Sequence, residues 1–260
     1  MNINQLFTVF NKVVLITESG NGVAQALIFG FSLAGAKVIC LDSGENSTQQ
    51  VVRKMNMIGG NCVHISVDLS DQESVIATVK RVFQENGKVD VCINNCGVVR
   101  NCNSALLSQK EFDELLEKLI STTLRTSQLI GKAMSEFDGG KIINIPSIIP
   151  KIYESGPYAY HSTRKSVFHQ TRSLAAEWAS LNIQVNSIDP GFVARENYDR
   201  FYHELEKDDL SLNASHMPFG KWCRPEQLIG SEIYLSSTAS SHITGTVLTM
   251  ESTESVFVES

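Results

Sequence analysis

The chain has 260 residues, 42% of them hydrophobic and 19% charged, and a formal net charge of −6 at pH 7. That length and balance suit one α/β domain with a substantial core. The acidic excess argues against nucleic acid or an anionic membrane as a partner, and no apolar run is long enough to span a bilayer.

In chain order, the opening MNINQLFTVFNKVVLIT lacks a basic region followed by a clean apolar run and a small-residue cleavage site, so no secretory leader is expected. Short apolar runs then alternate with longer amphipathic segments. Strands read at 13–17 (VVLIT), 37–42 (KVICLD), 62–69, 89–95, 141–146, 183–188 and 245–250. Helical segments lie between them. In 71–86, DQESVIATVKRVFQEN, Val75, Val79 and Val82 or Phe83 share a face. Alternation of this kind implies a parallel sheet covered by helices on both sides. The polar, weakly patterned stretch 192–220 follows a late strand and is expected to be a substrate lid. Cys40, Cys62, Cys92, Cys96, Cys102 and Cys223 form no CxxC pair, and Cys40 and Cys92 sit inside strand-like runs. They read as buried, reduced thiols of a cytoplasmic protein rather than disulfides or a metal site, and the histidines show no metal-ligand spacing.

The first strand runs into TESGNGVAQALIFGFSLAGAKVICLD. Ligands of parallel sheets bind beyond the carboxyl ends of the strands, where a turn and a helix N-terminus can hold a pyrophosphate. Thr17, Ser19, Gly22 and Val23 are the candidates there, and glycine allows close backbone approach. Gly20 and Gly22 could equally form a simple tight turn. Asp42 ends the second strand, where a carboxylate accepts hydrogen bonds from an adenosine ribose. That favours NAD(H) over NADP(H), because a 2′-phosphate would meet like charge. The alternative is a solvated strand end.

The segment PYAYHSTRKSVFHQTRSLAAEWA, 157–179, reads as a helix with two distinct faces. Tyr160, Arg164, Val167, Thr171, Leu174 and Trp178 recur at three- and four-residue steps on one face. Lys165, His169, Arg172 and Glu177 form a solvated stripe on the other. Tyr160 and Arg164 are neighbours one turn apart, whereas Lys165 lies about 140° around the helix from Tyr160.

Further motifs carry a resemblance. NNCG (94–97) is similar to an NNAG motif, VDLSD (67–71) to an adenine-contacting aspartate strand, and VNSIDPG (185–191) and RPEQLIGSEIYLSSTASSHITGTVLTM (224–250) to a characteristic C-terminal half. Along essentially its whole length the chain resembles a short-chain dehydrogenase/reductase. The N-terminal QLFTVFNKVVLIT and the MPFGKW segment resemble the branch that holds sugar-acid dehydrogenases and oxoacyl reductases. The resemblance implies a single dinucleotide-binding domain over 1–260: a Rossmann-type, doubly wound parallel sheet of about seven strands in three α/β/α layers.

It also implies site residues. The family's serine lies thirteen residues before its tyrosine, as Ser147 does before Tyr160, and its YxxxK motif becomes Tyr160-His-Ser-Thr-Arg164. By the resemblance, Ser147 positions the substrate oxygen, Tyr160 is the acid/base, and Arg164 takes the place of the lysine that acidifies the tyrosine and binds the nicotinamide ribose. A cation beside the phenol is needed because a tyrosine near its ordinary pKa of about 10 is a poor base at neutral pH. Asp68, Leu69, Asn95, Gly97, Pro190 and Gly191 complete the expected cofactor contacts. Asp68 could instead cap helix 71–86, Asn94, Asn95 and Gly97 could serve a turn, and Tyr160 and Ser147 could be a buried structural pair.

The sequence departs from the family at three places. The glycine motif TGxxxGxG holds Glu18, Gly22 and Ala24 at its glycine positions. An asparagine that lies 28 residues before the serine and holds a relay water is Leu119, and the lysine is Arg164. Two functions follow: an NAD(H)-preferring oxidoreductase on a small-molecule secondary alcohol or ketone, of sugar-acid or oxoacyl type, or a non-catalytic scaffold or ligand sensor on the same fold. The resemblance also implies a homodimer or homotetramer.

Overall fold

The computed structural model describes residues 3–44, 46–96, 108–146, 158–191, 193, 218–219 and 223–251. The elements run α1 (Ile3–Leu6), β1 (Val13–Thr17), α2 (Gly22–Leu33), β2 (Lys37–Asp42), α3 (Asn46–Met57), β3 (Asn61–Ser66), α4 (Gln72–Asn86) and β4 (Val91–Asn95). They continue with α5 (Gln109–Leu116), a π-helical turn (Glu117–Ser121), α6 (Thr122–Met134), β5 (Gly140–Ile145), α7 (Tyr158–Trp178), β6 (Ile183–Pro190), α8 (Ile229–Ser236) and β7 (Val247–Met250). The seven strands form one parallel sheet in the order β3-β2-β1-β4-β5-β6-β7. Among the described residues no helix is long and apolar enough to cross a membrane.

Strand β1 shows why the sheet is buried on both faces. All five of its residues are buried, and the two-residue period of a strand sends them alternately to two cores. Val14 and Ile16 join Leu27, Ile28 and Phe31 of α2, Val52 of α3 and Leu235 of α8. Val13 and Leu15 join Val75 and Val79 of α4, Ile130 of α6 and Leu174 of α7. Leu15 and Ile16 are fully buried, so truncating either to alanine is expected to cost about 2–5 kcal/mol.

All seven strands expected from the sequence are present, with shifted ends that have local causes. β3 stops at Ser66 because Asp68 Oδ1 accepts from the backbone N–H (2.9 Å) and hydroxyl (2.7 Å) of Ser70, turning the chain away from the sheet. Asp68 therefore does not cap the next helix. Asp71 does, its carboxylate accepting from Glu73 N at 3.2 Å, and the helix starts at Gln72. β6 runs on to Pro190, where it pairs with Met250 of β7. In α4, Val75, Val79, Val82 and Phe83 are all buried.

Candidate cofactor crevice and catalytic helix

The strand order reverses direction between β1 and β4. In an open α/β sheet the ligand crevice lies beyond the carboxyl ends of the strands at such a point. Thr17 ends β1, buried. The chain then turns through Glu18 at φ 45°, a left-handed conformation that favours glycine. Three carbonyl contacts hold this turn: Asn95 Nδ2 donates to Glu18 O at 3.0 Å from across the crevice, Asn21 Nδ2 donates to the same oxygen at 3.5 Å, and Ser47 Oγ donates to Gly20 O at 3.2 Å. Asn21 caps α2 by accepting from Ala24 N at 3.0 Å. Gly22 and Val23 open that helix, where backbone N–H groups lack intrahelical acceptors and the dipole favours an anion.

Among the described residues, a Cβ built on Gly22 would meet nothing within 4 Å. There is room over the first turn of α2, and room beside a helix N-terminus is what a pyrophosphate requires. The residues present fit a nicotinamide dinucleotide, with Glu18 as a misfit of both backbone and charge. Its carboxylate lies close enough to Cys96 to add to the effect of burial, which is the main reason the thiol is pushed up to about 12. Cys96 Sγ shares a hydrogen with Thr123 Oγ1 at 2.9 Å.

Asp42 ends β2 as expected, but as a buried residue rather than a solvated strand end. Gly44 N donates to its Oδ1 at 2.8 Å, and His64 Nε2 lies 2.7 Å from the same oxygen. Ser19 Oγ donates to Oδ2 at 2.9 Å, and the Thr48 hydroxyl donates there through a shorter bond. Burial raises its pKa, yet the hydrogen bonds from Thr48, His64, Gly44 and Ser19 outweigh this and hold the carboxyl below its ordinary value. Because such a carboxylate only accepts, His64 Nε2 is the donor. Thr48 and His64 were missed from the sequence, although β2 and β3 pair with Cys40 opposite His64, one turn of pleat from Asp42.

On the other side of the crevice, the two asparagines of NNCG separate in role. Asn94 is buried and donates to Ser127 Oγ and Asn144 Oδ1, both at 2.9 Å, while Asn144 donates to Thr171 Oγ1 at 2.9 Å. This network ties β4 and β5 to α6 and α7. Asn95 is the clamp on Glu18.

In α7 Val167, Thr171 and Leu174 are buried while Lys165, His169, Arg172 and Glu177 are exposed. Arg164 is on the inward side, with 17% of its side chain exposed. Its Nη2 donates to the Asp189 carboxylate and to the Pro190 carbonyl at the end of β6. The cation thus meets a carboxylate that sequence reasoning missed, although VNSIDPG contains it. Pro190 is buried, and Gly191 N donates to Met250 O at 2.9 Å.

The backbone of Tyr160 lies in the first turn of α7, but Ser147, Gly97, Cys102 and the Tyr160 side chain lie outside the described residues, as does most of 192–220. Leu119 falls in the π-helical turn, its side chain likewise outside the description. Asp68 is exposed and Leu69 buried, beyond the end of β3.

The family model for short chain dehydrogenases matches residues 12–204. The chain belongs to that family. This short chain dehydrogenase is similar to the 2-dehydro-3-deoxy-D-gluconate 5-dehydrogenase of Dickeya dadantii, 29% identical over 248 residues, covering 94% of this chain and 96% of the relative. It is also similar to a 3-oxoacyl-[acyl-carrier-protein] reductase of Thermotoga maritima, 25% identical over 91% of this chain and 95% of the other. Among solved structures, a putative NAD(P) dependent gluconate 5-dehydrogenase from Beutenbergia cavernae with bound NADP superposes with a TM-score of 0.85 at 25% identity, covering 96% and 99% of the two chains. Membership gives this short chain dehydrogenase its reaction class, oxidoreduction between a secondary alcohol and a ketone with a nicotinamide dinucleotide.

Proposed function

We propose that this short chain dehydrogenase interconverts a secondary alcohol and a ketone on a sugar acid. The observation that carries the reading is the crevice between β1 and β4, with open space over Gly22 and a half-buried cation, Arg164, on the catalytic helix. Similarity to sugar-acid dehydrogenases over almost the full length of both chains supports the substrate class. The bound dinucleotide supplies or accepts the hydride. Thr17, Ser19, Gly22, Val23, Asn95, Gly97, Pro190 and Gly191 are the residues that would hold it. Tyr160 exchanges the proton on the substrate oxygen, Ser147 donates a hydrogen bond to that oxygen, and Arg164 supplies positive charge near the phenol. The preference for NAD(H) expected from Asp42 lacks support from its surroundings, since the carboxylate is already filled by four donors.

We take the chain as one domain in which 192–220 covers the substrate, working as a homodimer or homotetramer in the cytoplasm. A titration with NADH and NADPH, followed by nicotinamide fluorescence, tests the reading. Binding in the micromolar range together with reduction of 5-keto-D-gluconate supports it, and no binding at millimolar concentration overturns it. A second reading, a non-catalytic ligand-binding member, is favoured by the capture of Arg164 by Asp189. It predicts dinucleotide binding without turnover on any sugar acid.

A further inference from the structure

A carboxylate at the end of the second strand selects between dinucleotides in two ways: it accepts hydrogen bonds from the ribose hydroxyls, and it repels a 2′-phosphate. At Asp42 the first is closed and the second is weakened. A carboxylate offers about four lone-pair positions, and here they are filled from four directions. Ser19 comes from the loop after β1, Gly44 from the turn after β2, Thr48 from α3 and His64 from β3. Ser19 and Thr48 are fully buried, and the carboxylate itself is 5% exposed. A ribose hydroxyl could reach it only by evicting one of these donors. That exchanges one hydrogen bond for another and leaves a buried donor unmatched, so the cofactor gains nothing. The positive ends of four donor dipoles also face the carboxylate, which weakens the repulsion a 2′-phosphate would meet.

We infer that Asp42 is a fastener that joins four segments around the adenosine end of the crevice, not the selector of the dinucleotide, and that the protein takes NADH and NADPH with comparable affinity. His64 is the specificity-determining partner, because its imidazole covers Oδ1. The inference rests on the oxidoreductase reading for its cofactor and on the hydrogen-bond geometry for the rest.

The test measures NADH and NADPH affinity by fluorescence and calorimetry, together with thermal unfolding, for the wild type, Asp42→Asn and His64→Leu. The expected wild-type affinities agree within about threefold, and Asp42→Asn changes their ratio by less than about twofold while lowering Tm by about 5 °C or more. His64→Leu uncovers Oδ1 and is expected to move the ratio toward NADH by about tenfold. A wild type that prefers NADH tenfold or more, with the preference lost in Asp42→Asn, overturns the inference. If Asp42→Asn does not fold, the wild-type ratio and the His64→Leu shift decide. If the wild type binds neither dinucleotide, the oxidoreductase reading fails on its own account. The fastener is then judged by unfolding alone: a large loss of Tm in Asp42→Asn upholds it, and an unchanged Tm rejects it.

Discussion

Asp42 at the lip of the crevice and Glu232 on α8 are both carboxylates sealed inside the protein, 5% and 0% exposed. They are held in opposite states. Asp42 has four donors and a pKa below the ordinary carboxylate value, although burial alone would raise it. Among the described residues neither oxygen of Glu232 has a hydrogen-bond partner, and burial pushes it up to about 8. Depth is shared and partners are not, so partners decide which acid keeps its charge. Asp42 is a matched charge, as Arg164 is in its pairing with Asp189. Helix α8, by contrast, buries an acid that is accommodated by staying protonated.

The sharpest way to break this comparison is to remove the matched acid. Asp42→Ala leaves four donors without an acceptor, and the expected loss is about 3–4 kcal/mol in urea unfolding at pH 7. The stability Asp42 contributes is complete above the ordinary carboxyl range and is lost as pH falls through its lowered folded-state value. Wild type and variant should therefore converge under acid. A constant difference down to pH 2 would mean the hydrogen bonds do not depend on ionisation.

Glu232 carries the opposite sign. Its proton is held to about pH 8 in the folded protein but is lost near the ordinary 4.5 when unfolded. Folding is penalised increasingly as pH rises between those values, and the penalty is constant above them. Glu232→Gln should match the wild type at pH 5 and exceed it at pH 9 by on the order of 3 kcal/mol. Equal stability at both pH values would show that Glu232 finds a partner in solution.

These two acids also mark what could be read in the sequence. The fold was legible because it depends on period and punctuation. VVLIT and KVICLD announce strands, and the valines of 71–86 announce a helix face, whatever surrounds them. The chemistry of Asp42 was not legible, because three of its donors come from residues 19, 48 and 64, brought together only by the parallel pairing of β1, β2 and β3. The inward register of Arg164 followed from helical spacing, whereas its acceptor Asp189 lies 25 residues away across a strand. Asn94 was read with a turn motif. Its actual partners on β5 and α6 depend on which strand neighbours β4.

A smaller effect is expected where the loop itself is at odds with the site. Glu18 holds a left-handed conformation that costs a non-glycine residue about 1 kcal/mol. Glu18→Gly should recover that amount in thermal unfolding. It should also tighten NADH binding several-fold, because a carboxylate beside the pyrophosphate path is removed. A gain in stability without a gain in affinity would show that the carboxylate already points away from the cofactor.

The finest test concerns the cation on α7. Arg164→Lys alone leaves Asp189 in place to capture the new ammonium, so turnover is expected to rise only about threefold, and more when Asp189→Ala is added. Lys165 is exposed on the opposite face. Lys165→Ala should leave turnover and cofactor affinity within about twofold of the wild type, as solvent-exposed charges away from a site usually do. Loss of turnover at Lys165 with indifference at Arg164 would place the catalytic face of α7 on its solvated stripe. The matched pair at the end of β6 would then be a structural clasp with no part in the proton transfer.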